Sequence, residues 1–254
     1  MIRKYQDRKP ESNNFVFGIR AIEETLKSGK PIERILFAKS QTNVNHLVKE
    51  AGDRKIPYSF VPEEKLNSIT RKNHQGAICY VSPIEYSDLE NLIMDCFDKG
   101  TEPFVLVLDR ITDVRNMGAI ARTALCAGVD ILLLPIKNSA QINEDAMKTS
   151  AGALNHLPVS RTDDLKKAVR YLKDSGLTIV ACTEKAKDDI FATELKGPVA
   201  LVVGSEEDGI SDDIMRIADY LVKIPISGKL DSLNVSVAAG ISMFEVVRQR
   251  GKQK

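Results

Sequence analysis

Signals for membrane insertion and secretion are missing from this sequence. No apolar run approaches the roughly 20 residues that a membrane-spanning helix needs, so we expect no membrane insertion. The first fourteen residues, MIRKYQDRKPESNN, hold no apolar segment. We therefore expect a short disordered tail there and no secretory signal.

Signals for a metal site are also missing. The four cysteines, Cys79, Cys96, Cys126 and Cys182, form no C-x-x-C pair, and each lies in an apolar segment. The three histidines are far apart. Cysteines in this pattern favour buried free thiols over zinc ligands, as in a protein of the reducing cytoplasm. We therefore expect no metal and a cytoplasmic location.

The common nucleotide-binding signatures are absent as well. The chain has no G-x-G-x-x-G motif and no lysine following a phosphate-binding loop. The stretch VALVVGSEEDGIS at 199–211 reads as a buried strand entering a glycine-bounded loop, but Glu206, Glu207 and Asp208 fill that loop. Three acids would repel a phosphate, because such loops need backbone N–H groups and a cation.

The composition is that of a folded protein with a sizeable core, and its charge is unevenly distributed. Hydrophobic residues make up 43% of the chain and charged residues 28%. Its length of 254 residues is enough for one large or two small domains. Residues 1–83 hold 15 Lys and Arg against 9 Asp and Glu, a balance of +6. Residues 84–254 hold 21 against 26, a balance of −5. A basic first third favours a polyanion, although an ordinary solvated surface explains the charge equally well.

Alternating strand and helix patterns predict two α/β domains. In the first third we expect three strands, at 34–38, 57–61 and 76–82, with helices between them and a further helix at 17–29. After a connector at 84–102 that includes one helix, SDLENLIMDCFDKG, longer apolar runs predict strands at 104–110, 130–135, 177–183, 199–204 and 220–226. Their nearly continuous apolar character indicates a parallel sheet that is covered on both faces. Ligands of such sheets bind beyond the carboxyl ends of the strands.

The first polar segment in the second domain is LDRITDVRNMGAIARTALCAG at 108–128. Asn116 can cap the following helix. Arg122 lies among small apolar residues on a helix that should pack on the sheet, so its charge needs an anionic partner. A buried structural ion pair is the alternative explanation for this arginine.

Two further polar segments follow later strands. The acidic loop after Val203 and Gly204 also reads as a surface turn before a helix, because Ser211 and two aspartates resemble a helix start. KIPISGKLDSLNVSVAAG at 223–240 places Ser232 and Asn234 at the start of a long helix, where capping explains one of them. Capping does not explain why small polar residues gather after two successive strands.

The three segments together resemble the three motifs of the SpoU family of RNA ribose 2′-O-methyltransferases, within the SPOUT superfamily. The matching residues are Asn116 and Arg122, six apart; Gly204, Glu206 and Gly209 in the form G-x-E-x-x-G; and Ile224, Pro225, Ser232, Leu233, Asn234, Val235 and Ser236. The family often has Asp-Pro before its first-motif asparagine, where this chain has Asp113-Val114-Arg115. The patterns FGIRAI and NHQG (73–76) are similar to the family's small substrate-binding domain.

The resemblance implies a fold, a cofactor and a set of site residues. It implies a small L30e/L7Ae-like RNA substrate-binding domain at 1–83, a linker at 84–102 and a SPOUT catalytic domain with a deep trefoil knot at 103–254. It implies S-adenosylmethionine as cofactor, whose sulfonium and ammonium suit an acidic loop. The implied catalytic residues are Asn116, Arg122, Glu206, Ser232 and Asn234, and the implied cofactor-binding residues are Val203, Gly204, Ile224, Pro225, Ile226 and Leu233.

The resemblance also implies a substrate and an assembly. We expect methylation of a ribose 2′-hydroxyl in RNA, with a guanosine of 23S ribosomal RNA as target. Transfer RNA, a non-catalytic RNA-binding protein of the same fold and a nucleotide-binding α/β protein are the alternatives. An arginine holds its proton too tightly to act readily as a base, so we favour an electrostatic role for Arg122. Family members are homodimers; Val237, Ile241, Phe244 and Val247 on the last helix could form such a contact or belong to the core.

Overall fold

Two separately packed units divide the chain between Pro83 and Ile84 in a computed structural model. The structure describes residues 15–229 and 232–251, so the tail expected at 1–14 lies outside the described residues. The first unit is Met1–Pro83 and the second is Ile84–Lys254. The α/β class and the two-part organisation predicted from the sequence are confirmed, whereas the trefoil knot stays a prediction.

The described part of the first unit is a mixed four-stranded sheet with three helices. Its elements are β1 (Phe15–Phe17), α1 (Ile19–Lys27), β2 (Ile32–Ala38), α2 (Asn45–Asp53), β3 (Tyr58–Val61), α3 (Glu63–Ile69) and β4 (Ala77–Val81). The strand order is β1-β4-β2-β3, with β2 and β3 parallel and the other pairs antiparallel. Strand β1 was not predicted, because three residues carry little periodicity. Gly18, at φ 90°, separates this strand from α1.

The described part of the second unit is a seven-stranded sheet in which every pair is parallel. Its strands are β5 (Phe104–Asp109), β6 (Ile131–Pro135), β7 (Val159–Thr162), β8 (Thr178–Cys182), β9 (Asp188–Asp189), β10 (Val199–Gly204) and β11 (Tyr220–Lys223). Its helices are α4 (Leu89–Asp98), α5 (Val114–Ala127), α6 (Glu144–Thr149), α7 (Leu165–Asp174), α8 (Asp212–Met215) and α9 (Val235–Arg250). Two 3₁₀ turns occupy Ala153–Asn155 and Ile190–Ala192. The order β7-β6-β5-β10-β8-β11-β9 makes β5 and β10 neighbours.

Burial on both faces explains the continuous apolar runs of these strands. In β5, Leu106 and Leu108 pack on the side of α5, α6 and α9, while Val105 and Val107 pack on the side of α4, α7 and α8. Alternate side chains point to opposite faces of a strand, so both sets must be apolar. The helix predicted within the connector at 84–102 is α4, and its Ile93 is buried in the second of these layers.

Helix α9 packs on the core through one face and leaves another exposed. Ala239, Met243 and Val246 are fully buried, whereas Val237 and Phe244 are each 49% exposed. The face predicted from Val237 and Phe244 is therefore not the main core face of this helix. At the C-terminal end of α9, Gln249 donates to the Thr193 carbonyl and accepts from the Leu195 N–H, each at 2.8 Å. These bonds fix the end of α9 to the segment that precedes β10.

The described cysteines are all free, and they differ in exposure. Cys79 is buried, and burial raises the pKa of its thiol to about 12. Cys126 is exposed on α5, so the prediction of burial is wrong for this residue. An apolar segment of sequence supplies both faces of a helix, and Cys126 lies on the face opposite the buried Ala121 and Ala124. No helix among the described residues has the length and apolarity needed to cross a membrane.

Candidate functional site

A cleft of about 290 Å³ opens where the carboxyl ends of β5 and β10 lie side by side. Gly204 is in register with Asp109, so the two loops that follow these strands start at the same edge of the sheet. The cleft is lined by Arg110, Ile111, Thr112, Asp113, Asn116, Asn138, Ser205, Glu206, Glu207, Asp208 and Val235. The loops at adjacent strand ends thus form a polar and mainly acidic cleft, at the edge where parallel sheets bind ligands.

Backbone contacts hold the acidic loop after β10 in a closed turn. Ser205 and Gly209 exchange backbone hydrogen bonds at 3.1 and 3.0 Å, and the Ser205 hydroxyl accepts from the Asp208 N–H at 3.1 Å. Gly209 has φ 70°, a conformation that favours glycine. A Cβ on Gly204 would overlap the backbone of Gly209 and Ile210. Both glycines of the G-x-E-x-x-G motif are therefore required by the shape of the turn.

Arg110 ties this acidic loop to the end of β5. Its guanidinium donates to Asp109 Oδ1 at 3.2 Å, to Asp208 Oδ2 at 3.0 Å and to the Gly209 carbonyl at 3.1 Å. The buried Asp109 in turn accepts from the Ser211 N–H at 2.7 Å. Arg110 has φ 62°, which is costly for a residue with a side chain. Its contacts therefore hold the backbone in an unfavourable conformation.

Glu206 connects the three polar segments through one carboxylate oxygen. Its Oε1 accepts from Asn116 Nδ2 at 3.0 Å, from Asn234 Nδ2 at 2.9 Å and from the Val235 N–H at 3.5 Å. Asn234 Nδ2 also lies 3.1 Å from Asn116 Oδ1. The structure therefore brings together Asn116, Glu206 and Asn234, which lie in three different segments of the sequence. We call these three residues the Asn–Glu–Asn cluster.

Helix capping explains one of the two asparagines. Asp113 caps α5 by accepting from the Asn116 N–H at 2.8 Å, so the capping explanation for Asn116 is wrong. Asn234 does cap α9, because its Oδ1 accepts from the Ser236 N–H at 2.9 Å. It still has its amide N–H₂ group to donate to Glu206. Ser211 directly precedes α8, so a helix does start after the acidic loop, as the alternative interpretation of this segment predicted.

Arg122 lies outside the cluster. Helix α5 packs on the sheet as predicted, with Ala121 and Ala124 in the core, whereas Arg122 is exposed on the outer side of the helix. No hydrogen bond or ion pair joins Arg122 to another residue in the described ranges, which removes the alternative of a buried ion pair there. Its side chain shares the outer side of α5 with the exposed Leu125 and Cys126.

The remaining predicted site residues surround the loop between β11 and α9. Val203 is buried, Gly204 is half-buried, and Ile224 packs against the core. Pro225, Ile226, Ser232 and Leu233 are exposed. None of these seven residues is among the described residues that line the cleft. Leu233 directly precedes Asn234, so this loop leads into the Asn–Glu–Asn cluster.

Several residues of the cleft were not predicted from the sequence. Arg110, Asp113 and Asn138 line it, and Arg110 makes contacts that pattern reading did not reveal. A charged residue directly after a buried strand end was the available signal for Arg110. No group of three or more His, Cys, Asp or Glu side chains within 15–229 and 232–251 is arranged to hold a metal ion.

Comparison with known proteins relates both units to RNA methylation. Residues 103–244 match the SpoU rRNA Methylase family, and residues 15–87 match the RNA 2′-O ribose methyltransferase substrate-binding family. A Bacillus subtilis protein, YacO, assigned to the TrmH family of tRNA/rRNA methyltransferases, is 33% identical over 94% of this chain and 97% of its own length.

Two solved structures show the same relationship. The AdoMet-bound rRNA methyltransferase from Sinorhizobium meliloti is 25% identical and has a TM-score of 0.60, over 92% of this chain and 86% of its own. The TrmH/SpoU tRNA modifying enzyme from A. aeolicus is 29% identical with a TM-score of 0.53, over 64% of this chain and 84% of its own. Because the methylase match spans more than half of the sequence, the chain belongs to the SpoU rRNA methylase family.

Proposed function

We propose that this protein transfers a methyl group from S-adenosylmethionine to a ribose 2′-hydroxyl of RNA. The observation that carries the proposal is the Asn–Glu–Asn cluster, because each of its members belongs to a different motif of the family resemblance. The match of residues 15–87 to a 2′-O ribose methyltransferase substrate-binding family supports the ribose as the site of methylation.

The chemistry of the site fits the proposed cofactor. S-adenosylmethionine supplies, when bound, a methyl group that its sulfonium already activates. Glu206, Glu207 and Asp208 provide negative charge for a cationic ligand. The exposed Ile226 and Leu233 offer apolar contacts for an adenosine. Val203, Gly204, Ile224, Pro225, Ile226 and Leu233 are the residues that we propose hold the cofactor.

The catalytic task is to orient the hydroxyl and to stabilise the negative charge that develops on its oxygen. Arg122 is exposed and unpaired among the described residues, so its guanidinium is available for an RNA phosphate and for that oxygen. We assign Arg122 this electrostatic role, not that of a base. Asn116, Glu206, Ser232 and Asn234 shape the pocket and hold the ribose.

Ribosomal RNA is the substrate that we favour over transfer RNA. The similarity to an rRNA methyltransferase covers 92% of the chain, whereas that to a tRNA modifying enzyme covers 64%. The basic balance of residues 1–83 also suits a separate RNA-binding unit. A guanosine of 23S ribosomal RNA is our specific proposal, and transfer RNA is the alternative.

We further propose that the second unit forms a homodimer. Leu125 of α5 and Val237, Ile241 and Phe244 of α9 form what we call the α5–α9 outer face. Leu125, Val237 and Phe244 are exposed by 38%, 49% and 49%. Exposed apolar patches on neighbouring helices are typical of protein interfaces, and Arg122 lies on the same side of α5 as Leu125. A dimer through this face would bring Arg122 to the boundary between two subunits.

Mapping 2′-O-methylated nucleotides in total RNA, with and without the gene, tests the proposed reaction. We expect one site in 23S ribosomal RNA to lose its methylation and to regain it with purified protein and S-adenosylmethionine. Loss of a transfer RNA methylation would support the alternative substrate.

A melting experiment tests the cofactor: S-adenosylhomocysteine at a hundredfold excess over Kd should stabilise the protein by about 2.7 kcal/mol. ATP or NAD raising the melting temperature instead would support the nucleotide-binding alternative.

Light scattering tests the homodimer. The wild-type protein should have twice the mass of the chain, and Phe244→Asp should reduce it to the mass of one chain because a charge would be buried in the contact. Phe191→Asp, which changes a side chain that is equally exposed outside this face, is the control and should leave the dimer intact. A wild-type protein with the mass of one chain would contradict the proposal.

A further inference from the structure

Two aromatic side chains stand exposed on one edge of the first unit. Tyr58 and Phe60 of β3 are 41% and 45% exposed. They are the large apolar side chains that are exposed in residues 15–83. Both rest against the buried ring of Phe37, with ring centroids 6.2 and 5.7 Å away. Each ring therefore packs against Phe37 while another part of it stays exposed to solvent.

The backbone of the same two residues is also open. Strand β3 pairs with β2 and lies at the edge of the described sheet. Ile35 donates to the Pro57 carbonyl and Lys39 donates to the Val61 carbonyl, at 2.9 and 3.0 Å. In a parallel ladder the groups that face the partner alternate along the strand. The N–H and C=O groups of Tyr58 and Phe60 therefore point away from β2.

An exposed edge strand of this kind is a candidate binding surface. Exposed aromatic residues on an unpaired edge promote association, and proteins usually protect such edges with charge, proline or a covering element. Here the exposed rings and the open backbone groups belong to the same two residues. Proteins bind unpaired nucleotides through aromatic rings on which the bases stack and through groups that form hydrogen bonds with them.

We propose that Tyr58 and Phe60 form a stacking platform for unpaired nucleotides of the RNA substrate. The proposal rests on the proposed function, because RNA is the occupant that the substrate-binding match over 15–87 supports. The charge agrees, since residues 15–83 hold 11 Lys and Arg against 7 Asp and Glu. The ring planes lie at 89° to each other with centroids 6.2 Å apart. Two bases stacked on them would not be parallel, so the platform suits a bent, unpaired segment and not a duplex.

Binding of labelled oligoribonucleotides to the full chain tests the platform. The probes are a fluorescein-labelled ten-nucleotide oligouridine and a ten-base-pair RNA duplex, followed by anisotropy. We expect Tyr58→Ala and Phe60→Ala each to weaken binding of the single strand by about tenfold, since each removes one stacking surface. Binding of the duplex should change less than twofold. Tyr58→Phe keeps the ring and should bind as the wild type does.

Controls separate the platform from loss of folding and from failure of the proposed function. Phe97→Ala removes a similarly exposed ring from the second unit and should leave RNA binding unchanged. Each variant should keep the wild-type affinity for S-adenosylhomocysteine, and in methylation its KM for RNA should rise while kcat is kept. Unchanged single-strand binding by both alanine variants, with methylation still observed, would overturn the platform alone. A shift to lower mass in light scattering would instead identify the edge as a contact between copies and would also overturn it. A wild-type protein that methylates no RNA would contradict the proposed function.

Discussion

Glu206 shows how one side chain can join distant parts of the sequence. It accepts hydrogen bonds from two asparagines, 90 and 28 residues away in the sequence, although it is exposed. A charged acceptor strengthens both bonds, while exposure to water weakens them. The cluster therefore orients α5 and α9 at the site and adds only modestly to stability.

A double-mutant cycle between Glu206→Ala and Asn234→Ala should measure this connection. We expect a coupling of about 0.5 to 1 kcal/mol in the free energy of unfolding, because each variant removes the same hydrogen bond. The cycle cancels the capping that Asn234→Ala also removes. The cycle of Glu206→Ala with Arg170→Ala, an exposed change on α7, should show no coupling. Full additivity of the first pair would mean that the bond is not formed in solution.

Arg122 should affect the rate and not the stability. Arg122→Ala should lower kcat by about 10² to 10³, as does the loss of one preorganised electrostatic donor in other enzymes. The melting temperature of the Arg122→Ala variant should stay unchanged, because Arg122 is exposed and has no partner among the described residues. Arg122→Lys should recover part of the rate, since it keeps the charge but not the planar guanidinium.

Single-turnover methylation together with a thermal melt checks the role of Arg122. Arg170→Ala is the matched control and should behave as the wild type in both measurements. A large fall in melting temperature with normal turnover would show that Arg122 is a structural residue.

At the scale of an element, the closed turn after β10 depends on Gly204. Gly204→Ala should open the turn, because the added Cβ would overlap the backbone of Gly209 and Ile210 and not a movable side chain. We expect a lower melting temperature and at least a tenfold loss of S-adenosylhomocysteine affinity. The control is Gly228→Ala in the loop before α9, where an added Cβ meets nothing within 4 Å. Equal affinities for the two variants would argue against a role for the turn in binding.

The strain at Arg110 can be measured by comparing two substitutions. Arg110→Ala and Arg110→Gly both remove the contacts to Asp208 and the Gly209 carbonyl, but only glycine accepts φ 62° without cost. The free energy of unfolding should therefore be about 1 kcal/mol lower for Arg110→Ala than for Arg110→Gly. Both should bind S-adenosylhomocysteine more weakly than the wild type. Denaturant unfolding of the two variants gives the difference; equal stabilities would mean that the backbone relaxes once the side chain is gone.

At the scale of the whole molecule, the boundary at Pro83 and Ile84 predicts that the second unit folds alone. A fragment of residues 84–254 keeps Ile84, which is buried in the core of that unit. We expect it to bind S-adenosylhomocysteine with the wild-type affinity. Its RNA affinity should be lower and less dependent on salt, because a unit with a positive balance is gone.

Calorimetry with S-adenosylhomocysteine and RNA binding at two salt concentrations measure these properties of the fragment. Methylation of the same nucleotide by the fragment with undiminished efficiency would show that residues 1–83 do not select the RNA.

The sequence by itself determined the fold class and the strand ends where the candidate site lies, and its family resemblance named the residues of the cluster. Apolar runs report burial directly, and polar residues after buried strands must lie at the edge of a parallel sheet. The strand predicted at 199–204 coincides with β10, and Asn116, Glu206 and Asn234 do meet.

Only the tertiary structure decided what each side chain contacts. Asp113 and not Asn116 caps α5, Arg122 is exposed, and Arg110 joins the ends of β5 and β10. The open edge formed by Tyr58 and Phe60 likewise depends on the strand order β1-β4-β2-β3. Strand order and contacts between loops arise from packing between residues far apart in the chain, and local patterns of charge and apolarity do not encode them.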